Sequence, residues 1–276
     1  MKSLWTTLRY SFTNLRWQII GWGIGLALYG LMIVPMYESL GSQPEKFQQM
    51  IAGYPPEFLA FFGADVNSPI TPQGFLGMYA FSMLPVIIGI FSVIAGSGLI
   101  VGDEEHGRLD LILAHPVGRT PFFWGRFLGL LAAALSIVIL GWLGFSILLG
   151  RSSLGVTWYQ MAVPFLTLFI QLLVFSTFAL VLSMLLPSRN LAAMVSGAFL
   201  VISYIVSSLS FLDQRMDMLS KLLPYHYYQS VLSIQQLNLT WFFALLGISL
   251  AMAAIAYVRF SRRDIRLSGE GSWRKQ

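Results

Sequence analysis

Residues 152–188 read SSLGVTWYQMAVPFLTLFIQLLVFSTFALVLSMLLPS, 37 consecutive positions without an Asp, Glu, Lys or Arg. About 20 predominantly apolar residues suffice to cross a bilayer as a helix. Five more charge-free runs occur, at 17–37, 66–102, 127–150, 190–212 and 222–258. Of 276 residues, 56% are hydrophobic and 11% charged. A soluble domain carries about 25% charged residues, so this composition excludes a soluble enzyme, a nucleic-acid binder and a disordered chain. The runs are apolar on every face, as in Val86-Ile87-Ile88, whereas barrel strands alternate over about 10 positions. Helices satisfy their own backbone in lipid. The expectation is an all-α integral membrane protein with six transmembrane helices.

Each 37-residue run has one polar or broken end: Asn67-Ser68-Pro69 with Thr71-Pro72, Ser152-Ser153-Leu154-Gly155, and Pro224 with Gln235-Gln236-Leu237-Asn238. One span therefore fits each. Spans are expected near 17–37, 78–102, 122–149, 161–186, 191–212 and 240–259, forming one six-span transmembrane domain over 1–264 with a basic tail at 265–276. The first run is expected to be a retained span and not a cleaved signal peptide, because a second hydrophobic segment follows and Pro35-Met36-Tyr37-Glu38 offers no small-residue cleavage site. With no cysteine, disulfides are excluded.

Six spans put both termini on one side. That side carries 13 of the 17 basic residues, leaving Lys46, Arg151, Arg215 and Lys221 opposite. The positive-inside rule then makes both termini cytoplasmic. Topology accounts for the net charge of +5 without a nucleic-acid partner.

Before the first span, Leu4, Trp5, Leu8, Phe12 and Leu15 recur at helical spacing. They predict an interfacial helix with Trp5 at headgroup depth, the alternative being a plain extension of span one. Outside loop 38–77 is expected to hold two amphipathic pieces beginning at Pro44 and Pro56. Segment 213–239 is amphipathic and aromatic, long enough to dip into the bilayer. The short connection Pro187-Ser188-Arg189-Asn190 makes spans four and five antiparallel neighbours. Gly21/Gly25, Gly98/Gly102 and Gly125/Gly129 permit close helix crossings, most simply within the chain.

Between spans two and three, Asp103, Glu104 and Glu105 are expected to open a helix, where carboxylates complement exposed N–H groups. Glu104 and Arg108 are spaced for an i, i+4 pair. Leu109, Ile112 and Leu113 make an apolar stripe, and Pro116 ends the helix. No span has a charge at its centre; Arg126 sits one turn inside span three, where it can snorkel. Charged groups in mid-membrane mark ion and proton pathways, so an ion-coupled transporter is disfavoured. His106, His115 and His226 form no H-E-x-x-H motif, and no Gly-x-Ser-x-Gly elbow occurs. No Lys follows a Gly, so the chain holds no Walker A loop. The remaining polar span residues, including Gln171, Ser203 and Tyr204, are candidates for a substrate pathway or ordinary packing groups.

Residues 101–119, VGDEEHGRLDLILAHPVGR, resemble the signature of ABC type-2 permeases: a small-residue span end, an acidic pair, Gly, a Leu-rich helix, then Pro-Val-x-Arg before the next span. Tyr54-Pro55-Pro56-Glu57 through Phe61-Phe62-Gly63, Thr71-Pro72-Gln73-Gly74-Phe75 and Leu223-Pro224-Tyr225-His226-Tyr227 are similar to the family as well. His106 stands where the family more often has Arg or Lys. The resemblance implies a non-catalytic membrane subunit of an exporter in a bacterial or archaeal plasma (inner) membrane, pairing with a second permease copy or a homologous permease through spans one and five. It further implies a cytoplasmic ABC ATPase partner that binds ATP and Mg, this chain holding no cofactor. Glu104, Glu105, His106, Arg108, Leu109 and Leu113 would form the coupling helix seated in that ATPase, and ATP-driven closure would rock two bundles to expel an amphipathic or hydrophobic substrate. The competing expectation is a membrane sensor whose outer cap, 38–77 with 213–239, relays a signal without transport.

Overall fold

The computed structural model describes residues 2–41, 49, 53–55, 59, 71–109, 112, 118–210 and 213–262. Among them the elements are helical: α1 (Lys2–Asn14), α2 (Arg16–Gly41), α3 (Pro72–Leu76), α4 (Leu84–Gly98), α5 (Val101–Glu105), α6 (Arg119–Ser146), α7 (Trp158–Leu185), α8 (Arg189–Ser208), α9 (Gln214–Ser220) and α10 (Leu239–Arg262). Six stretches are long and apolar enough to cross a membrane: Arg16–Ser39, Pro72–Gly98, Arg119–Arg151, Trp158–Leu185, Arg189–Ser208 and Leu239–Arg262. They fall on the six charge-free runs. The two amphipathic pieces expected from Pro44 and Pro56 lie outside the described residues, as does the tail.

Span two starts at Pro72, ahead of residue 78, because Thr71-Pro72 is a helix start and not a break. The Thr71 hydroxyl accepts the Gly74 N–H at 3.0 Å, and proline fits the first turn, where its missing N–H has no partner to lose. The span is then interrupted. A π-helical turn covers Gly77–Phe81, and α4 resumes at Leu84 with Pro85 in its first turn. Such a change of winding displaces carbonyls from the regular ladder, and lipid cannot satisfy them. Two tyrosines do so from outside the helix. The Tyr29 hydroxyl of α2 donates to the Tyr79 carbonyl, and the Tyr225 hydroxyl donates to the Ser82 carbonyl. Tyr225 lies in a 3-10 turn, Pro224–Tyr227, of the segment joining α8 to α10. That segment is folded onto the bundle: the adjoining 3-10 turn Ser230–Ile234 packs on α7 and α3, with Val231 buried.

Helix α7 is the axis of the bundle. It packs against α4, α10, α6 and α8, and 72% of its most apolar window is buried, against 33%, 28% and 22% for the first, fifth and sixth spans. A full capping box, Thr157 with Gln160, starts it. Pro164 is tolerated near its start, and the Thr167 hydroxyl donates to the Pro164 carbonyl at 2.8 Å. Phe165 meets Phe81 and Phe145 at ring separations of 5.2 and 5.3 Å, locking spans two, three and four together. Leu28, Met32, Met194, Ile202, Phe243 and Ile255 point outward from the peripheral spans, as residues facing lipid or another apolar partner do.

The N-terminal helix is seated on α6. Backbone bonds run on through Leu15 (Leu15 N–H to the Ser11 carbonyl, 3.1 Å; Ile19 N–H to the Leu15 carbonyl, 2.9 Å), so α1 leads into α2 almost without a break. Its inner face is Thr7, Ser11 and Leu15, all buried, while Trp5 is 65% exposed. The extension reading therefore describes its backbone, and Trp5 retains the outward position expected of a headgroup anchor. Gly125 and Gly129 make the seat: a Cβ on the first would fall 2.7 Å from the Thr7 Cβ, and on the second 2.5 Å from that of Ser11. This Gly-xxx-Gly pair serves packing within the chain, as expected. Farther along, Gly141 and Gly144 admit Leu26 and Ala27 of α2, so α1 and α2 run parallel to α6 for its whole length.

Two outcomes test this architecture. Tyr29→Phe and Tyr225→Phe keep the rings and each lower stability by about 1–3 kcal/mol, the usual loss when a buried carbonyl is left unpaired. Thermal unfolding in detergent reads this, and unchanged midpoints in both variants would refute the role given to the hydroxyls. Gly125→Leu and Gly129→Leu overfill the seat and cost about 1–3 kcal/mol each, whereas Gly21→Ala, with nothing within 4 Å of its added Cβ, leaves the monomer's unfolding midpoint unchanged.

Candidate coupling site

The acidic triplet lies in a one-turn helix, with Asp103 and Glu104 in its first turn and Glu105 as its last residue. Helix α5 extends span two after a turn at Leu99-Ile100, and Gly107 ends it with φ 64°, a left-handed conformation that glycine adopts without a Cβ clash. Helix α5 begins two residues ahead of Asp103, because the apolar pattern of span two carries on through Val101, and Asp103 and Glu104 occupy its first turn. Asp103 and Glu104 are 4% and 7% exposed and Leu109 is 2% exposed, whereas Glu105, His106 and Arg108 are on the surface. Ile112 packs on the core. Leu113 lies outside the described residues.

Asp103 is the hub. Its carboxylate forms an ion pair with Arg126 of α6 and a second with Arg108 at 3.2 Å. Among the described residues, Arg108 thus takes its ion pair from Asp103 and not from Glu104, the neighbour suggested by i, i+4 spacing. Arg126 is 4% exposed, so it does not snorkel. Its Nη1 donates to the Ser11 hydroxyl at 3.3 Å, and its guanidinium lies 5.0 Å from the Tyr10 ring centre and 5.5 Å from that of Phe122. A buried cation is tolerated only with a counter-charge and hydrogen bonds, and Asp103 and Ser11 supply both. The signal missed in the sequence was the combination of a span-end carboxylate and an arginine within the first two turns of the next span.

Glu105 points the other way. One of its carboxylate oxygens accepts the backbone N–H of Arg189 at 2.8 Å, at the first residue of α8. Ser188 caps the same helix through the Leu191 N–H at 3.3 Å. A carboxylate there meets both an orphan donor and the positive end of the helix dipole. The Arg189 side chain packs against Gly98, where a Cβ would fall 2.8 Å from the guanidinium. At the same end, Arg119 Nη1 donates to the Ser261 carbonyl at 3.0 Å, and the Thr120 and Tyr257 hydroxyls meet at 2.8 Å. This end of the bundle thus joins α1, α5, α6, α8 and α10. The turn 105–108 presents one carboxylate, one imidazole and one guanidinium outward.

The candidate pathway residues have different surroundings. Gln171, midway along α7, is fully buried, and among the described residues neither atom of its amide has a hydrogen-bond partner. Ser203 donates to the Phe199 carbonyl at 2.6 Å, one turn back in its own helix, which makes it a satisfied packing hydroxyl. Tyr204 stacks edge-on against Tyr225 at 5.3 Å, joining span five to the folded-in outer segment. On that segment, burial holds the His226 imidazole below its ordinary pKa, Lys221 adding to the effect and Asp217 opposing it. His226 contacts the Ser220 hydroxyl at 3.0 Å and the Trp241 ring at 5.8 Å. Among the described residues no three His, Asp or Glu gather as a metal site would require.

No curated protein matches the chain. A family profile described as "ABC-2 family transporter protein" does match it, over residues 7–265, from the α6-seated N-terminal helix past the end of α10. The chain belongs to this family of ABC transporter membrane proteins.

Proposed function

We propose that this permease subunit exports an amphipathic or hydrophobic substrate by alternating access, driven by a separate cytoplasmic ATPase that docks on the turn 105–108. The observation that carries the reading is the turn itself. Glu105, His106 and Arg108 are exposed, yet the backbone beneath them is held on one side by the Asp103–Arg126 pair and on the other by the Glu105 cap on α8. A dock that receives mechanical work has to be accessible and rigidly attached, and this one is both. Burial of Glu104 and Leu109 leaves Glu105, His106 and Arg108 as the candidates for docking contacts, Glu105 also capping α8 and Arg108 also pairing with Asp103.

The sequence supports the same direction of energy flow. No Lys follows a Gly, so a Walker A loop is absent and ATP and Mg belong to the partner. The turn shares its side of the chain with 13 of the 17 basic residues, the side that the positive-inside rule makes cytoplasmic. The plasma membrane of a bacterium or archaeon is the expected location. The exposed apolar faces of α2 and α8 suit a second permease, identical or homologous, with lipid around the rest. Gln171, buried mid-span and without a hydrogen-bond partner among the described residues, is a polar group that an otherwise apolar cargo would meet if the two bundles part.

The test is co-purification from native membranes. The tagged wild-type chain brings down a stoichiometric ATPase. Glu105→Lys and Arg108→Glu weaken that association about tenfold or more, as loss of roughly 1.4 kcal/mol at a contact hot spot would. A chain that folds and acts in its membrane with no ATPase bound, and whose function survives both changes, would overturn the reading in favour of a sensor.

A further inference from the structure

We infer that Asp103 and Arg126 form a strut that transmits movement of the docking turn to the bundle, with Arg126 as a positioning residue distinct from the docking contacts. The inference rests on the permease reading and deepens it. Its basis is a chain of contacts that leaves the turn in two directions from neighbouring residues. From Asp103 it passes to Arg126 in α6 and through Arg126 to the Ser11 hydroxyl and Tyr10 ring of α1. From Glu105 it passes to the first N–H of α8. A displacement of the turn is thereby shared between the α1–α6 pair and span five, on opposite sides of α5.

An ion pair is a poor means of stabilising such a junction, because desolvation offsets most of the attraction and apolar side chains of similar volume hold as well or better. What a buried pair supplies is register: guanidinium and carboxylate have few acceptable geometries, while apolar side chains slide over one another. The surroundings are built to hold this geometry. Both charged side chains are at most 5% exposed, two aromatic rings flank the guanidinium, and close packing of Thr7 on Gly125 and Ser11 on Gly129 fixes the height of Ser11 against α6.

The experiment uses the full chain in complex with the ATPase that co-purifies with it. The natural chain has no cysteine, so spin labels can be placed at Gly150→Cys and Leu222→Cys, two exposed positions at the end of the bundle remote from the turn. The distance between labels is measured with and without ATP and vanadate. Asp103→Leu/Arg126→Met removes the pair without stranding a buried charge. The expected result is an ATPase still bound, ATP hydrolysis within about twofold of the unmodified complex, and loss of the ATP-dependent change in label distance. Arg126→Lys, which keeps the charge, retains part of that change. An unaltered distance change in the double variant overturns the strut. So does loss of the ATPase from a folded double variant, which would place the pair in the dock, and so does an Arg126→Lys variant as unresponsive as the double. If the apolar pair does not accumulate, Asp103→Asn/Arg126→Gln replaces it with the same outcomes. A labelled parent that binds no ATPase fails the permease reading itself, before the strut is at issue.

Discussion

A charge pair in an apolar setting constrains everything near it. Asp103 and Arg126 are each buried, and neither would be tolerated there alone, since a stranded buried charge costs about 3–5 kcal/mol. Bringing them together requires span two to continue past Gly98 into α5, so that the carboxylate arrives beside Arg126 of span three. It also requires α1 to lie close enough to α6 for Ser11 to reach the guanidinium. Glycines at 125 and 129 make that approach possible. One electrostatic requirement thus links the N-terminal helix, the end of span two and the start of span three. The surface turn at 105–108 inherits its position from that linkage.

The opposite end of the bundle follows a different rule. Span two changes winding over Gly77–Phe81, and its displaced carbonyls are met by hydroxyls of Tyr29 and Tyr225. The aromatic segment between α8 and α10 therefore has a structural reason to fold onto the bundle. Gln229 holds it closed, its amide bonding both the N–H and the carbonyl of Asn238. Polar groups at each end of the molecule are in this way satisfied by side chains from other elements. The centre holds α7 in apolar contact on most sides, and among the described residues the Gln171 amide and the Ser176 hydroxyl have no hydrogen-bond partner there.

The class of fold was legible because charge is so costly in lipid: six charge-free runs mark six spans, and their spacing needs no tertiary information. The Gly125/Gly129 crossing was one of three that glycines four apart permitted; Gly21 and Gly25 face open space and Gly98 receives the Arg189 side chain, which spacing alone could not tell apart. The internal geometry of the coupling segment was less legible. Spacing placed Asp103 and Glu104 in the first turn of a helix, where α5 has them, but not the pairing of Asp103 with both arginines. Local i, i+4 rules cannot weigh a partner on another helix, and Arg126 looked like a snorkelling residue because its counter-charge lies 23 positions away in sequence. The Glu105 cap on α8, reaching from residue 105 to residue 189, was invisible for the same reason. Of the two readings of Ser203, the bond to the Phe199 carbonyl matches the packing hydroxyl, since a mid-helix serine satisfies itself on its own backbone.

The central claim is that work enters this protein at the turn 105–108 from a separate ATPase. Site-specific photo-crosslinking from His106 in native membranes tests it most directly. The account predicts one dominant adduct, with a nucleotide-hydrolysing polypeptide, whose yield changes on addition of ATP and vanadate. The same probe at Gly150 should give no such adduct. An adduct with that polypeptide from Gly150 but not from His106, or none from either position in functional membranes, would contradict it.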